Sequence, residues 1–566
     1  MSKKTNKKTT TTATAPATIA DAQKQSKFEY VVVNIICLFA FLAFGYIAIM
    51  GFFQTSRIDP VAYSAEKILF ETDNLALNLF FTAIFILILF AMRRFYDFFA
   101  KINMIALEII LTVYVILIGF IWIFSVTSIP AADSANIYET ARQAAVNDYT
   151  SLHDFTNFYN KDFYSGYSYY NFYPFQLGFV LICEVIYRIF GTESSMPVQV
   201  INVLATGAAY LGLAKITRLL FKRKSIEFMA VFLLALCFQP IIFCTFVYGN
   251  ILGMSLGIWA CFFLIKYFQT NKWTFLIPCG ILLVVSTIAK YNNLIYLIAF
   301  VIMLIVHVVK EKKWQSIAFA VAICIATVGS SSLIIASYES RAGVTLANGV
   351  SQVLYLDMGM QESGRAPGWY TTTGLSIYLK NQFDDDAANA EAWQQIDQRM
   401  NEFSNRPEYA LDFYSKKILS QWNEPTFESI WVSKVKGHEI DVKGGIGEAV
   451  YDKSLGQFLE LHFGLYMRVL YLLFAIGIYA LFIRKKTNIC TVLLPLVLMG
   501  GFGYHFLCEA KSQYILTYVP LIIPTAAYAL NLVLLGDYSK LKKAVAKINE
   551  IPKAFKPIKI GKKNKK

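Results

Sequence analysis

Asp133 is the residue in this 566-residue chain best placed to do acid–base work. It stands a few positions into a polar loop, IPAADSANIYETARQAA, that follows a long apolar run directly. A carboxylate at such a boundary can accept a proton from a hydroxyl, a general-base role worth about 10² to 10⁴ in rate. Asp133-Ser134 ahead of a helical pattern also has the form of an N-cap, in which the Asp oxygen accepts a backbone N–H, and the residues alone leave both readings open. Glu509 and Lys511, just ahead of Gln513-Tyr514, pair a carboxylate with a point charge suited to phosphate at the edge of another apolar run. A charged pair snorkelling from a helix end would look the same.

Other candidates are weaker in type or spacing. Between Phe155 and Phe175, 11 of 21 residues are Phe or Tyr, either a headgroup-level belt or a platform for a sugar ring or isoprenoid chain. Tyr170 and Tyr173 of that run, with Trp369 and Tyr370 further on, are the aromatic residues assigned to substrate. Arg341 and Arg365 are cations of later polar segments, solvated or in contact with phosphate, and Arg341 is assigned to the phosphate group with Glu509, Lys511 and Tyr514. Glu184 and Arg188, four apart, read as a helical ion pair. His153-Asp154 has no further His or Cys around it and forms no metal site. Nine cysteines lie mostly inside apolar runs without CxxC spacing, as packing residues. No GxGxxG, Walker or HExxH pattern occurs, so nucleotide hydrolysis and zinc proteolysis have no support.

The elements that must position these residues are membrane helices. The chain is 56% hydrophobic and only 16% charged, with uncharged runs longer than the roughly 18 residues a hydrocarbon core needs. The expected fold class is therefore all-α and polytopic, with about twelve transmembrane helices. A net charge of +14 lies in the tails and in short basic turns, which is a topology signal and not a nucleic-acid footprint. It places both termini in the cytoplasm, and the polar stretches 129–196 and 339–465 outside with the turns at Tyr248–Asn250, Lys290–Asn292 and Cys508–Lys511. The apolar segment Phe175–Phe190 carries Glu184 and Arg188 and is expected to lie along the outer leaflet, because a crossing would invert every later basic turn. The expected domains are a disordered tail (1–28), three membrane helices (29–128), an outer loop carrying Asp133 (129–196) and a helix bundle (197–338). A mainly helical or mixed outer domain (339–465), the last three spans (466–536) and a basic tail (537–566) complete the chain.

The order of these features resembles the GT-C membrane glycosyltransferases, above all the protein-mannosyltransferase-like branch of bacteria. The resemblance rests on PAADSANIYETA, on YPFQLGFVLICEVIYRIFG, on hairpin spans with basic inner turns and on a late EAKSQY, and covers about residues 105–536. It implies transfer of a sugar from a polyprenyl-phosphate donor to an envelope glycan, lipid, polymer or protein on the outer face of a bacterial plasma membrane. Asp133 would be the base that deprotonates the acceptor, Tyr173-Pro174 the aromatic entry to the helix beside the site, and Glu509, Lys511 and Tyr514 the group near the lipid phosphate. Two positions depart from the pattern: Gln513 stands where relatives often have Arg, and Asn250 where they have a second acidic residue. A divalent metal held by two carboxylates is correspondingly unsupported, and no cofactor is expected. The competing class is a transporter or lipid-linked-sugar flippase, which would put charge or broken, repeated helices at mid-membrane.

Overall fold

The computed structural model describes residues 25–61, 65–92, 98, 101–126, 128, 130–153, 166–435, 445–451 and 454–535. Most of both Lys-rich tails, the Arg93-Arg94 pair, Ile129, Asp154 and the aromatic residues from Phe155 to Tyr164 lie outside them.

The chain is a polytopic helical membrane protein. Eight helices are long and apolar enough to cross a bilayer: Lys27–Phe53, Met104–Ser125, Met196–Phe221, Asn250–Thr270, Tyr291–Glu311, Trp314–Ala342, Ser454–Ile483 and Ile489–Leu507. A ninth arises if Lys224–Ala235 and Gln239–Thr245, bent by 44° at a short break, are one span. The break precedes Gln239-Pro240, where the proline ring cannot continue the preceding turn. At the three other positions where a span is expected, the helices Leu75–Ala91, Trp273–Ala289 and Val519–Leu535 are apolar but shorter. The segment expected along the outer leaflet forms the helix Leu177–Phe190, which packs between Asp133–Ala145 and Trp314–Ala342.

Helix ends follow local chemistry. Ser26 caps the first helix by accepting from Glu29 N at 3.0 Å, and Asn488 with Thr491 forms a capping box ahead of Ile489–Leu507. Three basic turns open on a left-handed residue after a helix, Lys222, Asn271 and Lys312, each donating its N–H back four residues to close the last turn. Because successive helices run up and down, these turns share one end of the bundle, while Gly249, Lys290 and Cys508 share the other.

The first helix is part of the core: Phe44 meets Trp422 edge-on at 5.2 Å and Phe474 at 5.0 Å. It leads into the one pair of strands among the described residues, β1 (Gln54–Ile58) and β2 (Ile68–Thr72), antiparallel with Ile58 opposite Ile68. This hairpin is docked by Ser56 N on Asn423 O at 3.2 Å and by Ile68 N on Arg365 O at 2.9 Å.

Candidate functional site

The helix bearing Asp133 starts in an unusual way. Ala132 sits at φ 52°, ψ −135°, a backbone conformation that costs a residue with a Cβ about 1–3 kcal/mol. Its carbonyl accepts from Ala135 N at 2.9 Å and Asn136 N at 3.2 Å, so Asp133 becomes the first helical residue and not the cap. The expected N-cap bond is absent, and the half-buried Asp133 carboxylate has no hydrogen-bond or ion-pair partner among the described residues. It lines a cavity of about 260 Å³.

The turn after Ile489–Leu507 supplies the facing wall. Glu509 Oε1 accepts from Tyr514 Oη at 3.0 Å, while the Glu509 and Ala510 amides donate to Tyr355 O at 3.0 Å and Gly368 O at 2.8 Å. Burial pushes the Glu509 carboxyl up to about 7, and the Asp133 charge pushes the same way, against the Tyr514 hydroxyl, Lys511 and Arg365. Lys511 is buried with carboxylates on two sides, an ion pair to Glu66 and Glu428 Oε2 at 3.5 Å. Burial alone would lower its pKa, but Glu428 and Glu66 outweigh this and hold it above the usual lysine value. The turn is pinned from behind by the buried Lys417, whose ammonium donates to Gly359 O, to Leu507 O at 3.3 Å and to Cys508 O at 2.9 Å. It thereby satisfies carbonyls left over at a helix end. Burial draws the Lys417 pKa down to about 7. Gly368, at φ +71°, is required beside it, since a Cβ there would stand 2.6 Å from Lys417 Cε.

A third wall comes from two short turns in close contact. Lys290 Nζ stands 4.0 Å from the centre of the Tyr248 ring and 5.8 Å from that of Tyr514. The intervening Gly249 permits this approach: a Cβ on it would fall 1.6 Å from Ala289 O. Arg365 closes the wall, with Nε 3.0 Å from Glu66 Oε2 and Nη1 donating to Tyr370 O at 3.2 Å.

The cavity thus gathers Asp133, Glu509, Lys511, Tyr514, Tyr173 and Tyr370 from the residues expected in the site. Three others lie elsewhere. Arg341 binds Glu184 Oε1 at 2.9 Å alongside Arg188, also at 2.9 Å, and that Glu184 centre ties Leu177–Phe190 to Trp314–Ala342. Tyr170 is fully buried and donates to Asn136 O at 3.4 Å. Trp369 is buried with its indole N–H on Ser420 Oγ at 2.8 Å. Asn250 opens its helix and does not line the cavity. The cavity also contains Arg365, which the sequence left open between a solvated cation and a phosphate contact, and Glu66 and Lys290, which it did not assign to the site. For Lys290 the one signal was its place in a polar turn expected on the same side; for Glu66 the sequence carried none. Among the described residues no group of three or more His, Cys, Asp or Glu is arranged to hold a metal.

Chemically, the arrangement offers an unpartnered carboxylate, a second carboxyl titrating near neutrality, and three cations around one cavity. An apolar groove of about 800 Å³ runs between Leu276–Ala289 and Trp314–Ala342, lined by Trp273, Ile277, Ile281 and Phe319. Nearer the cavity, the same two helices border a small opening that shares Phe175 and Tyr291 with it.

Fold and site together define a multi-span helical membrane protein with a charged cavity at one end of its bundle. Over residues 177–335, less than a third of its length, the chain matches the family model described as dolichyl-phosphate-mannose-protein mannosyltransferase. The resemblance read from the sequence therefore holds in the helices flanking the cavity. No curated protein matches the sequence. Among solved structures, the oligosaccharyltransferase AglB of Archaeoglobus fulgidus in complex with an inhibitory peptide and a dolichol-phosphate aligns with a TM-score of 0.42 at 13% identity, over 81% of this chain and 53% of that one. The apo form of the Archaeoglobus fulgidus oligosaccharyltransferase gives 0.41 at 15% identity, again over 81% and 53%. The chain thus spans about half the length of these proteins.

Proposed function

We propose that the protein is a membrane glycosyltransferase that moves a sugar from a polyprenyl-phosphate donor to a hydroxyl of an envelope glycan, lipid, polymer or protein. The reaction takes place on the extracytoplasmic face of a bacterial plasma membrane, with both termini in the cytoplasm. The observation that carries this reading is the unpartnered Asp133 in one cavity with Lys290, Arg365 and Lys511. Asp133 takes the proton of the acceptor hydroxyl as its oxygen attacks the anomeric carbon. The bond from that carbon to the phosphate oxygen breaks, and polyprenyl phosphate leaves with the electron pair. Its charge develops beside the three cations, so a phosphate leaving group needs no acid. Glu509, titrating near neutrality, changes the charge of the cavity with pH. The family named for a dolichyl-phosphate donor supports this donor class, and the apolar groove between Leu276–Ala289 and Trp314–Ala342, two helices that also border the small opening beside the cavity, suits an isoprenoid tail whose binding energy comes from the bilayer.

The test is transfer of radiolabelled sugar from a panel of polyprenyl-phosphate sugars in membranes holding wild type or Asp133→Asn. Transfer should fall by about 10² to 10⁴ in the variant at equal protein level. No transfer from any donor, with lipid-linked sugar crossing between leaflets instead, would favour the flippase. Against that rival stands the concentration of the cavity's charged groups at one end of the bundle.

A further inference from the structure

Resting on the donor class proposed above, we infer that Glu66 is a resident stand-in for the donor phosphate, and that donor and departing lipid phosphate exchange with its carboxylate. Glu66 precedes β2 at φ +59°, a conformation unfavourable for a residue with a side chain. Its position is fixed by the hairpin around it: Asp59 N donates to Lys67 O at 2.8 Å, Ile68 N to Arg365 O at 2.9 Å, and Ile68 is buried against Ala366, Trp369 and Ala510. From there the carboxylate reaches into the cavity with 4% of the side chain exposed and bridges Lys511 and Arg365, cations from segments far apart in sequence. An oxyanion held between a guanidinium and an ammonium is what a phosphate monoester or diester would present to the same pair.

Neither cation depends on Glu66 alone. Lys511 keeps Glu428 Oε2 at 3.5 Å, and the other oxygen of that carboxylate is fixed by Ser512 Oγ at 2.9 Å and Gln513 N at 3.3 Å. Arg365 keeps Tyr370 O at 3.2 Å. Both cations therefore keep a partner when a phosphate takes the place of the Glu66 carboxylate. The departing lipid phosphate carries more negative charge than the diester donor, since a monoester has a second ionisation near pH 6. Without a competing anion, the two cations would retain the product longer than the substrate. A return of Glu66 speeds release, at the expense of weaker donor binding.

The experiment uses full-length protein in nanodiscs and measures binding of inorganic phosphate and of a polyprenyl monophosphate to wild type and Glu66→Gln by calorimetry. The inference expects Glu66→Gln to bind the lipid phosphate roughly tenfold more tightly. In turnover, the donor KM should fall while product inhibition deepens. Lipid-phosphate affinity that is unchanged or weaker, or tightening confined to inorganic phosphate, overturns it. Should Glu66→Gln fail to fold, Arg365→Gln in the native background decides: lost lipid-phosphate binding supports the site, and retained binding overturns it. Binding requires no transfer, so tightened binding by a protein that moves no sugar would sink the glycosyl-transfer reading and leave standing Glu66 as the occupant of a lipid-phosphate site.

Discussion

At the end of the bundle that carries Lys222 and Lys312, buried carboxylates are matched to cations that tie helices together. Glu108 meets Lys215 at 3.3 Å and Arg218 at 3.2 Å, Arg218 reaches on to Glu227 at 2.5 Å, and Glu29 meets Lys310 at 3.4 Å. At the cavity end the same residue types surround an open space. There Asp133 has no partner among the described residues, the two carboxylates on Lys511 come from different segments, and the walls are shaped by a strained Ala132 and a close-approach Gly249. Burying a charge costs several kcal/mol wherever it happens. One end offsets that cost by direct pairing and gains a fastening. The other leaves charge facing a cavity, which is useful only if a ligand completes it.

Three substitutions would sharpen or break this contrast. The largest stability loss is expected for Lys511→Met, which leaves the buried Glu66 and Glu428 without their shared cation and should destabilise by about 3 kcal/mol or more. Chemical unfolding in detergent measures it, and a negligible change would mean that the cavity charges are not truly buried. Arg218→Gln at the opposite end should be milder, about 1–2 kcal/mol, because the side chain is 37% exposed and water screens the pair. Transfer per folded molecule should stay at the wild-type level; a drop in rate without a drop in stability would dissolve the division between the two ends. The smallest effect concerns pH. Glu509 titrates near 7 when folded against an ordinary 4.5, so the folded state holds a proton that the unfolded chain has released between those values. Stability from this group is full below about 4.5 and declines as pH rises through 7. In Glu509→Gln that decline should flatten, seen as a melting temperature less dependent on pH across this window; an unchanged slope would assign it to another group.

The site was legible in part. Asp133, Glu509, Lys511 and Tyr514 stand out because each breaks an apolar pattern at a span boundary, a local signal. The local signal misled at the cap: Asp-Ser before a helical stretch has capping chemistry, but Ala132 turned to positive φ and moved Asp133 inside the first turn. Tyr170 and Trp369 show a different limit. A ring near a site fills a core as well as it faces a ligand, and only packing chose the core for both.

What the sequence determined by itself was the set of apolar helices, because a hydrocarbon core demands long uncharged runs and no water remains there to satisfy any other backbone. It also determined which turns share an end, because basic residues mark alternate connections. Only the tertiary structure decided that Glu66, Lys290, Arg365 and Glu509 meet. They come from four connections hundreds of residues apart in the extreme, and no periodicity within one segment encodes a contact between segments; the packing of the helices brings their ends, and the charges on them, into one place.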